Sequence, residues 1–149
     1  MNDEYYHKNG YQISTDKSLI DFEAVHKYLG EDSYWCKQIP KETLQRAVEN
    51  SICFGIYHNG EQAGFARVIS DNATFAYICD VFVLPKFRGI GLSKWLIQNI
   101  LSHPDLQGLR RWSLATLDAH GLYKQMGFTE LSKPDRWMEI YHPEVYKQP

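Results

Sequence analysis

Apolar positions in the first fifty residues follow first the spacing of a strand and then the spacing of helices. Residues 11–14 alternate between apolar and polar side chains, which predicts a short strand. From residue 19 to residue 29 apolar side chains recur every three or four positions, which predicts a helix that Gly30 stops. Pro40 favours the start of a second helix, which we expect to run to about residue 50.

The middle of the chain is dominated by long apolar runs. Residues 51–57 and 62–69 flank Asn59 and Gly60, a dipeptide that favours a tight hairpin turn. Residues 74–83 predict a further strand, which Pro85 ends because proline has no N–H for the ladder. We therefore expect three antiparallel strands in a row.

The last third of the chain predicts a helix, a strand, a helix and two closing strands, at residues 92–101, 110–115, 119–126, 128–131 and 137–141. Asp118 is a candidate cap for the second of these helices, and Gly127 is a candidate stop. The whole order is β-α-α-β-β-β-α-β-α-β-β.

Composition indicates a soluble protein of ordinary character. A length of 149 residues suits one domain, so we expect residues 1–149 to form it. A net charge of −2, without clustered Lys or Arg, argues against nucleic acid as the partner and favours a cationic one. The first residues lack the apolar core of a signal peptide, and no run of about eighteen apolar residues occurs. We expect a cytoplasmic protein with no membrane partner.

The cysteines do not indicate a disulfide framework or a metal site. Cys36, Cys53 and Cys79 are odd in number and lack metal-ligand spacing, which favours reduced thiols and predicts no metal. Cys53 and Cys79 lie in apolar strand patterns, so we expect them in the core.

A glycine turn after the third long strand is the strongest chemical signal. Gly89 and Gly91 permit a sharp turn and a close backbone approach, and the helix that follows offers unpaired N–H groups. Arg88 and Lys94 add positive charge. This arrangement predicts phosphate binding.

The spacing of the glycines and of the residues around them distinguishes between the protein families that use such turns. A Walker loop needs Gly-Lys followed by Ser or Thr, which is absent. A dinucleotide fingerprint needs a third glycine where Lys94 stands, which disfavours that interpretation. Residues 88–93 resemble instead the R/Q-x-x-G-x-G/A signature of the GNAT superfamily of N-acyltransferases, with Ser93 departing from glycine or alanine at the last small position.

A second stretch resembles another signature of the same superfamily. Residues 114–128 are similar to a strand and short helix ending in A-x-x-L-Y-x-x-x-G-F, matched by Ala119, Leu122, Tyr123, Gly127 and Phe128. The resemblance implies an α/β (α+β) fold with a mixed, mostly antiparallel central sheet flanked by helices. It also implies acetyl-CoA as co-substrate and no metal.

The resemblance implies where coenzyme A binds. The family holds the pyrophosphate on the turn, here Arg88, Gly89, Ile90, Gly91, Leu92, Ser93 and Lys94, and pairs the pantetheine arm with the main chain of the preceding strand, here Phe82, Val83 and Leu84. Arg88 has the alternative of a solvated surface charge. Ser93 has the alternatives of a phosphate ligand and of ordinary helix-start chemistry.

Three residues are candidates for proton transfer. Tyr123 matches the position whose phenol protonates the departing thiolate in many family members, and its alternative is a core tyrosine. Asp80, in an otherwise apolar strand, is a candidate base, and its alternative is a salt bridge to Arg67 or another cation. His120 lies three residues before Tyr123 and is a second candidate base, with a surface position as its alternative.

The acceptor is expected to be a small-molecule amine, or an amine of a peptide or protein. Tyr34 and Trp35, together with Asp80, are candidates for binding it, although the aromatic pair has the alternative of pinning its loop to the core. Arg136 and Trp137 have the same two alternatives, binding of the acceptor and packing against the core. Other open functions are a non-catalytic acyl-CoA sensor and a nucleotide-binding domain, and the sequence leaves a homodimer open.

Overall fold

The protein is built around a five-stranded sheet whose strands lie side by side in the order of the sequence. The structure, a computed structural model, describes residues 3–147. The strands are β1 Tyr11–Ser14, β2 Ile52–His58, β3 Glu61–Ser70, β4 Phe75–Val83 and β5 Arg111–Leu114. Neighbours from β1 to β4 are antiparallel, and β5 runs parallel to β4. The predicted mixed, mostly antiparallel sheet is confirmed.

Helices cover both faces of this sheet. They are α1 Asp3–Lys8, α2 Phe22–Lys27, α3 Lys41–Glu49, α4 Leu92–Leu101 and α5 His120–Gln125. One core cluster joins the sheet to Tyr6 of α1 and Trp95 of α4, and a second joins it to Val25 of α2 and Leu44 of α3. Among the helices of residues 3–147, none has the length and apolar character that crossing a membrane requires.

Helix α2 begins and ends differently from its prediction. It starts at Phe22 because the Asp21 carboxylate accepts the N–H of Ala24 at 3.2 Å. It does not stop at Gly30 but continues as a π-helical turn, Tyr28–Asp32, closed by the Ser33 N–H, which donates to the Tyr28 carbonyl at 2.9 Å.

The predicted hairpin is confirmed. Asn59 and Gly60 have φ angles of 49° and 88°, the left-handed pair that a two-residue hairpin turn requires. Strands β2 and β3 accordingly pair up to His58 and Glu61.

Both predicted closing strands are wrong. Residues 128–131 and 137–141 form no strand, and the 3₁₀ turn Pro134–Arg136 lies between them. Met138 and Ile140 are 95% and 89% exposed, so the apolar side chains of this segment do not pack into the core. A strand without a buried face or a pairing partner gains too little to form.

The start of α5 also differs from the prediction. Ala119, not Asp118, occupies the N-cap position, and no side chain caps the helix there. The Thr116 hydroxyl accepts the N–H of Ala119 at 3.1 Å instead. Beyond the helix Gly127 has a φ of 97°, which agrees with its predicted role as a stop.

A β-bulge interrupts β4 at Asp80. Arg67 pairs with Cys79 and Phe65 with Phe82, so Ala66 alone faces both Asp80 and Val81. Asp80 takes a φ of 55°, an uncommon conformation for a residue other than glycine. Bulges bend a strand and redirect a side chain, and this one lies at the point where β4 parts from β5.

Candidate active site

Strands β4 and β5 separate halfway along β4 and open a cavity of about 660 Å³. They pair from Phe75 to Ile78 only, after which β5 ends and residues 79–83 of β4 have no strand partner on that side among residues 3–147. Main-chain groups at such an open edge are available to a ligand. The lining comes from six segments: residues 34–35, 77–81, 93, 115–119, 122–123, and Glu139 with Tyr141.

The glycine turn presents free backbone N–H groups next to this opening. Gly89 and Gly91 have φ angles of 95° and 82°. Within the described part of the chain, the N–H groups of residues 89–94 donate to no backbone carbonyl, and the first bond of α4 runs from the Trp95 N–H to the Gly91 carbonyl at 3.1 Å. This is the geometry that binds an anion at a helix start.

Helix α1, which the sequence analysis did not predict, supports the turn from below. The Tyr6 hydroxyl donates to the Ile90 carbonyl at 2.6 Å, and its ring stacks on Trp95 at 4.4 Å between centroids. A Cβ atom added at Gly91 would lie 2.9 Å from the Tyr6 hydroxyl. The turn is therefore held in one conformation by the core.

Arg88 folds back onto the end of β4. Its Nε donates to the Val83 carbonyl at 2.7 Å, and its Nη2 donates to the Tyr28 hydroxyl at 3.1 Å. The Leu84 N–H is also occupied, because it donates to the Ala63 carbonyl of β3 at 2.8 Å. Two of the three residues expected to bind the pantetheine arm thus already use one main-chain group each, and Phe82 is buried against Tyr28.

The remaining residues of the predicted phosphate site lie around the turn. Ser93 lines the cavity, and Gly89, Ile90 and Gly91 are exposed. Lys94 is half-buried and forms no ion pair with a described residue. Leu92 is buried in the core below the turn, so only its backbone is available to a ligand.

Asp80 lies on the cavity wall and is also ion-paired. Arg67 Nε donates to its Oδ2 at 2.8 Å, and Trp35 Nε1 donates to its Oδ1 at 2.9 Å. Arg67 Nη1 donates further to the Ser51 hydroxyl at 3.1 Å. The salt bridge to Arg67 that the sequence left open is therefore present. A carboxylate oxygen can accept more than one hydrogen bond, so both oxygens of Asp80 can still accept one from a ligand.

Tyr123 combines a core position with a place on the cavity wall. It is 7% exposed, belongs to the core cluster beside α4, and packs edge-on against Phe128 at 5.8 Å. Among residues 3–147 its hydroxyl has no hydrogen-bond partner, yet protein atoms do not enclose it. Burial, with a smaller contribution from Tyr34, raises the pKa of Tyr123 to about 12.

Tyr34 and Trp35 both pin their loop and line the cavity. Trp35 is held by Asp80, and the Tyr34 hydroxyl accepts the Leu117 N–H at 3.0 Å from the segment after β5. The two rings meet edge to face at 5.0 Å. Lining the cavity and pinning the loop to the core are thus compatible roles for this aromatic pair.

Two predicted positions lie away from the cavity. His120 is exposed at the first position of α5 and is not among the lining residues. Trp137 packs under Arg111 at 4.8 Å and is not among them either. Sequence reasoning missed Tyr77, Asp118, Glu139 and Tyr141 as part of the wall, because no motif marks them.

The three cysteines are free thiols with different positions. Cys53 is buried, as expected, whereas Cys79 is half-buried and lines the cavity, so its prediction as a core residue is wrong. The bulge beside Cys79 accounts for this, because it opens the strand there. Burial raises the pKa of Cys79 to about 12, which keeps it protonated. No three His, Cys, Asp or Glu side chains of residues 3–147 converge as metal ligands.

Comparison with known proteins identifies the family. A family model described as the acetyltransferase (GNAT) family matches residues 22–128. A GNAT-family protein of Xanthomonas campestris pv. campestris with a known crystal structure is 54% identical and superposes with a TM-score of 0.91 over 93% of this chain and 97% of that one. A Gibberella zeae protein named as an acetyltransferase is 33% identical over 151 residues, 86% of this chain and 84% of the relative.

A more distant structure shares the fold. A Clostridium acetobutylicum protein described as an acetyltransferase, crystallised with acetyl-CoA, is 15% identical and has a TM-score of 0.61 over 88% of this chain and 94% of that one. The family match includes the cavity walls of β4, the glycine turn and Tyr123. The chain belongs to the acetyltransferase (GNAT) family and is an acyltransferase enzyme.

Proposed function

We propose that the protein transfers the acetyl group of acetyl-CoA directly to a primary amine in the cavity between β4 and β5. The observation that carries the proposal is that Tyr123, whose hydroxyl has no partner among the described residues, and Asp80 line one cavity together with Ser93, which follows the free N–H groups of the glycine turn. A distant structural neighbour that holds acetyl-CoA supports the choice of donor. Amine acceptors are typical of the family.

The reaction needs two proton movements. The acceptor amine, after losing a proton, attacks the thioester carbonyl carbon, a C–N bond forms, and the C–S bond breaks to release the thiolate. Asp80 is our candidate for orienting the ammonium group and receiving its proton. Tyr123 is our candidate for donating a hydrogen bond or a proton to the departing sulfur.

A covalent route through Cys79 is disfavoured. An acyl-cysteine intermediate requires a thiolate, which is the nucleophilic form. Because burial raises the pKa of Cys79 to about 12, the thiolate is scarce at neutral pH. Direct transfer from the thioester to the amine is the simpler alternative.

The first prediction is stabilisation by acetyl-CoA. A ligand that binds only the folded state adds RT ln(1 + [L]/Kd), about 2.7 kcal/mol at a hundredfold excess over Kd. For a domain of this size we expect the melting temperature to rise by about 5–10 °C. NADH is the control, since a dinucleotide fold would respond to it instead.

The two alternative functions give different results in the same experiment. A rise with NADH and none with acetyl-CoA would overturn the proposal in favour of a nucleotide-binding domain. A rise with acetyl-CoA, together with no thiol release across a broad panel of amines, would establish the non-catalytic sensor.

The second prediction concerns pH. Because the pKa of Tyr123 is raised to about 12, the phenol keeps its proton well above the pH at which an ordinary tyrosine ionises, about 10. The ratio of kcat between the parent and Tyr123→Phe should therefore stay constant from pH 7 to about pH 10. A ratio that collapses with a midpoint at or below pH 10 would contradict the raised pKa. Stopped assays of thiol release measure it.

A further inference from the structure

The charges around the cavity are all of one sign among the described residues that line it. Asp80, Asp118 and Glu139 contribute carboxylates, and the described lining includes no Lys, Arg or His. Arg67 balances Asp80, whereas Asp118 and Glu139 form no ion pair with any residue from 3 to 147. Both of these side chains are exposed, so the excess of negative charge lies at the mouth of the cavity.

Aromatic rings also line the cavity. Four lining residues, apart from Tyr123, carry aromatic rings: Tyr34, Trp35, Tyr77 and Tyr141. Aromatic faces attract cations and also pack against methylene groups. The cavity thus suits a ligand that combines methylene groups with positive charge.

Tyr123 is a buried residue of the cavity wall. It is 7% exposed, and its hydroxyl, which is open to the cavity, has no hydrogen-bond partner among the described residues. A hydroxyl that is open to the cavity and makes no hydrogen bond within the protein is available to a ligand group. A reacting amine placed against Tyr123 and Asp80 would leave the exposed Asp118 and Glu139 to a second group of the same ligand.

We propose that the acceptor is a diamine or polyamine, whose second ammonium group binds Asp118 and Glu139 while the first is acetylated. This inference rests on the proposed function, since it assigns the acceptor of the same site. An acceptor with a carboxylate or phosphate at its outer end would meet two unpaired carboxylates and no lining cation. Such acceptors are therefore disfavoured on charge alone.

Three acceptors of equal chain length test the outer charge. They are 1,4-diaminobutane, 1-aminobutane and 4-aminobutanoate, which carry a cationic, a neutral and an anionic group at the far end. Each exposed ion pair contributes modestly, about 0.2–1 kcal/mol. With two carboxylates we expect kcat/KM to be about tenfold higher for the diamine than for the monoamine, and lower still for the amino acid. The preference should shrink in 0.5 M salt because exposed charges are screened.

A matched pair of double variants locates the effect. Asp118→Asn with Glu139→Gln removes the two mouth charges, and Asp135→Asn with Glu130→Gln removes two exposed charges outside the lining. We expect the first variant to raise KM for 1,4-diaminobutane about tenfold while leaving KM for 1-aminobutane unchanged. The control variant should change neither value.

Each failure has its own signature. Equal kcat/KM for the diamine and the monoamine, or equal KM shifts in both double variants, would overturn the polyamine inference and leave acetyl transfer standing. No thiol release from any amine would overturn the proposed function and this inference with it, whatever the melting experiment with acetyl-CoA gives.

Discussion

Replacing Tyr123 with phenylalanine should lower kcat by about a hundredfold to ten-thousandfold, the range expected for a positioned general acid. The ring packs against Phe128 in the core and would be kept, so the change deletes only a hydroxyl without a partner in the described residues. Acetyl-CoA affinity and the melting temperature should hardly change, because the lost interaction acts on the leaving sulfur in the transition state. Steady-state kinetics with an accepted amine and thermal melts measure the two parts.

Tyr57→Phe is the matched control for this substitution. Tyr57 is a buried tyrosine of β2 outside the cavity lining, so removing its hydroxyl should leave kcat unchanged. Unchanged turnover in Tyr123→Phe, with a lower melting temperature, would assign Tyr123 to packing alone. A water molecule would then have to serve the leaving sulfur, since His120 is not among the lining residues.

The raised pKa of Tyr123 bears on which form of assistance it gives. A thiol ionises near pH 8.5, so a phenol with a pKa of about 12 holds its proton more tightly than the thiol does. Complete transfer is then uphill unless the bound ligands alter the site. Hydrogen-bond donation to the developing thiolate needs no such transfer and is consistent with the observed burial.

The glycine turn and the hairpin could be predicted from the sequence because each depends on local backbone chemistry. Gly89, Gly91 and the Asn59-Gly60 pair all adopt positive φ angles, which few other residues tolerate. The spacing of apolar residues likewise located β2, β3, β4 and α4 to within a residue or two. These features need no knowledge of distant parts of the chain.

The environment of Asp80 could not be predicted in the same way. Its partners Arg67 and Trp35 lie 13 and 45 positions away in the sequence, and they meet it only because the bulge in β4 turns its side chain. From the sequence, Asp80 was a candidate for a base or for a salt bridge. In the fold it is a salt-bridged carboxylate that also lines the cavity. Periodicity could not locate the bulge.

The C-terminal segment shows a different limit. Residues 137–141 are mostly apolar, which led to the prediction of a strand, but they form none, and Met138 and Ile140 are exposed. Glu139 and Tyr141 instead reach the cavity from an irregular segment. Pattern reasoning assigned this stretch to the sheet and therefore overlooked its place in the site.

Gly89→Ala should abolish the stabilisation by acetyl-CoA at ligand concentrations that saturate the parent. Its φ of 95° is strained for any residue with a Cβ atom, so the turn must change shape and its N–H groups must point elsewhere. Gly91 is a less clean target, since a Cβ there would also press on the Tyr6 hydroxyl.

Gly108→Ala separates loss of the phosphate site from simple strain. Gly108 also has a positive φ, 72°, and a Cβ atom at either Gly108 or Gly89 would meet no described atom within 4 Å. Each substitution should therefore cost about 1–2 kcal/mol of folding free energy through the backbone alone. Melts with and without acetyl-CoA should show the same loss in both variants but a ligand response only in Gly108→Ala. If Gly89→Ala responds to acetyl-CoA as fully as Gly108→Ala does, the phosphates bind somewhere other than this turn.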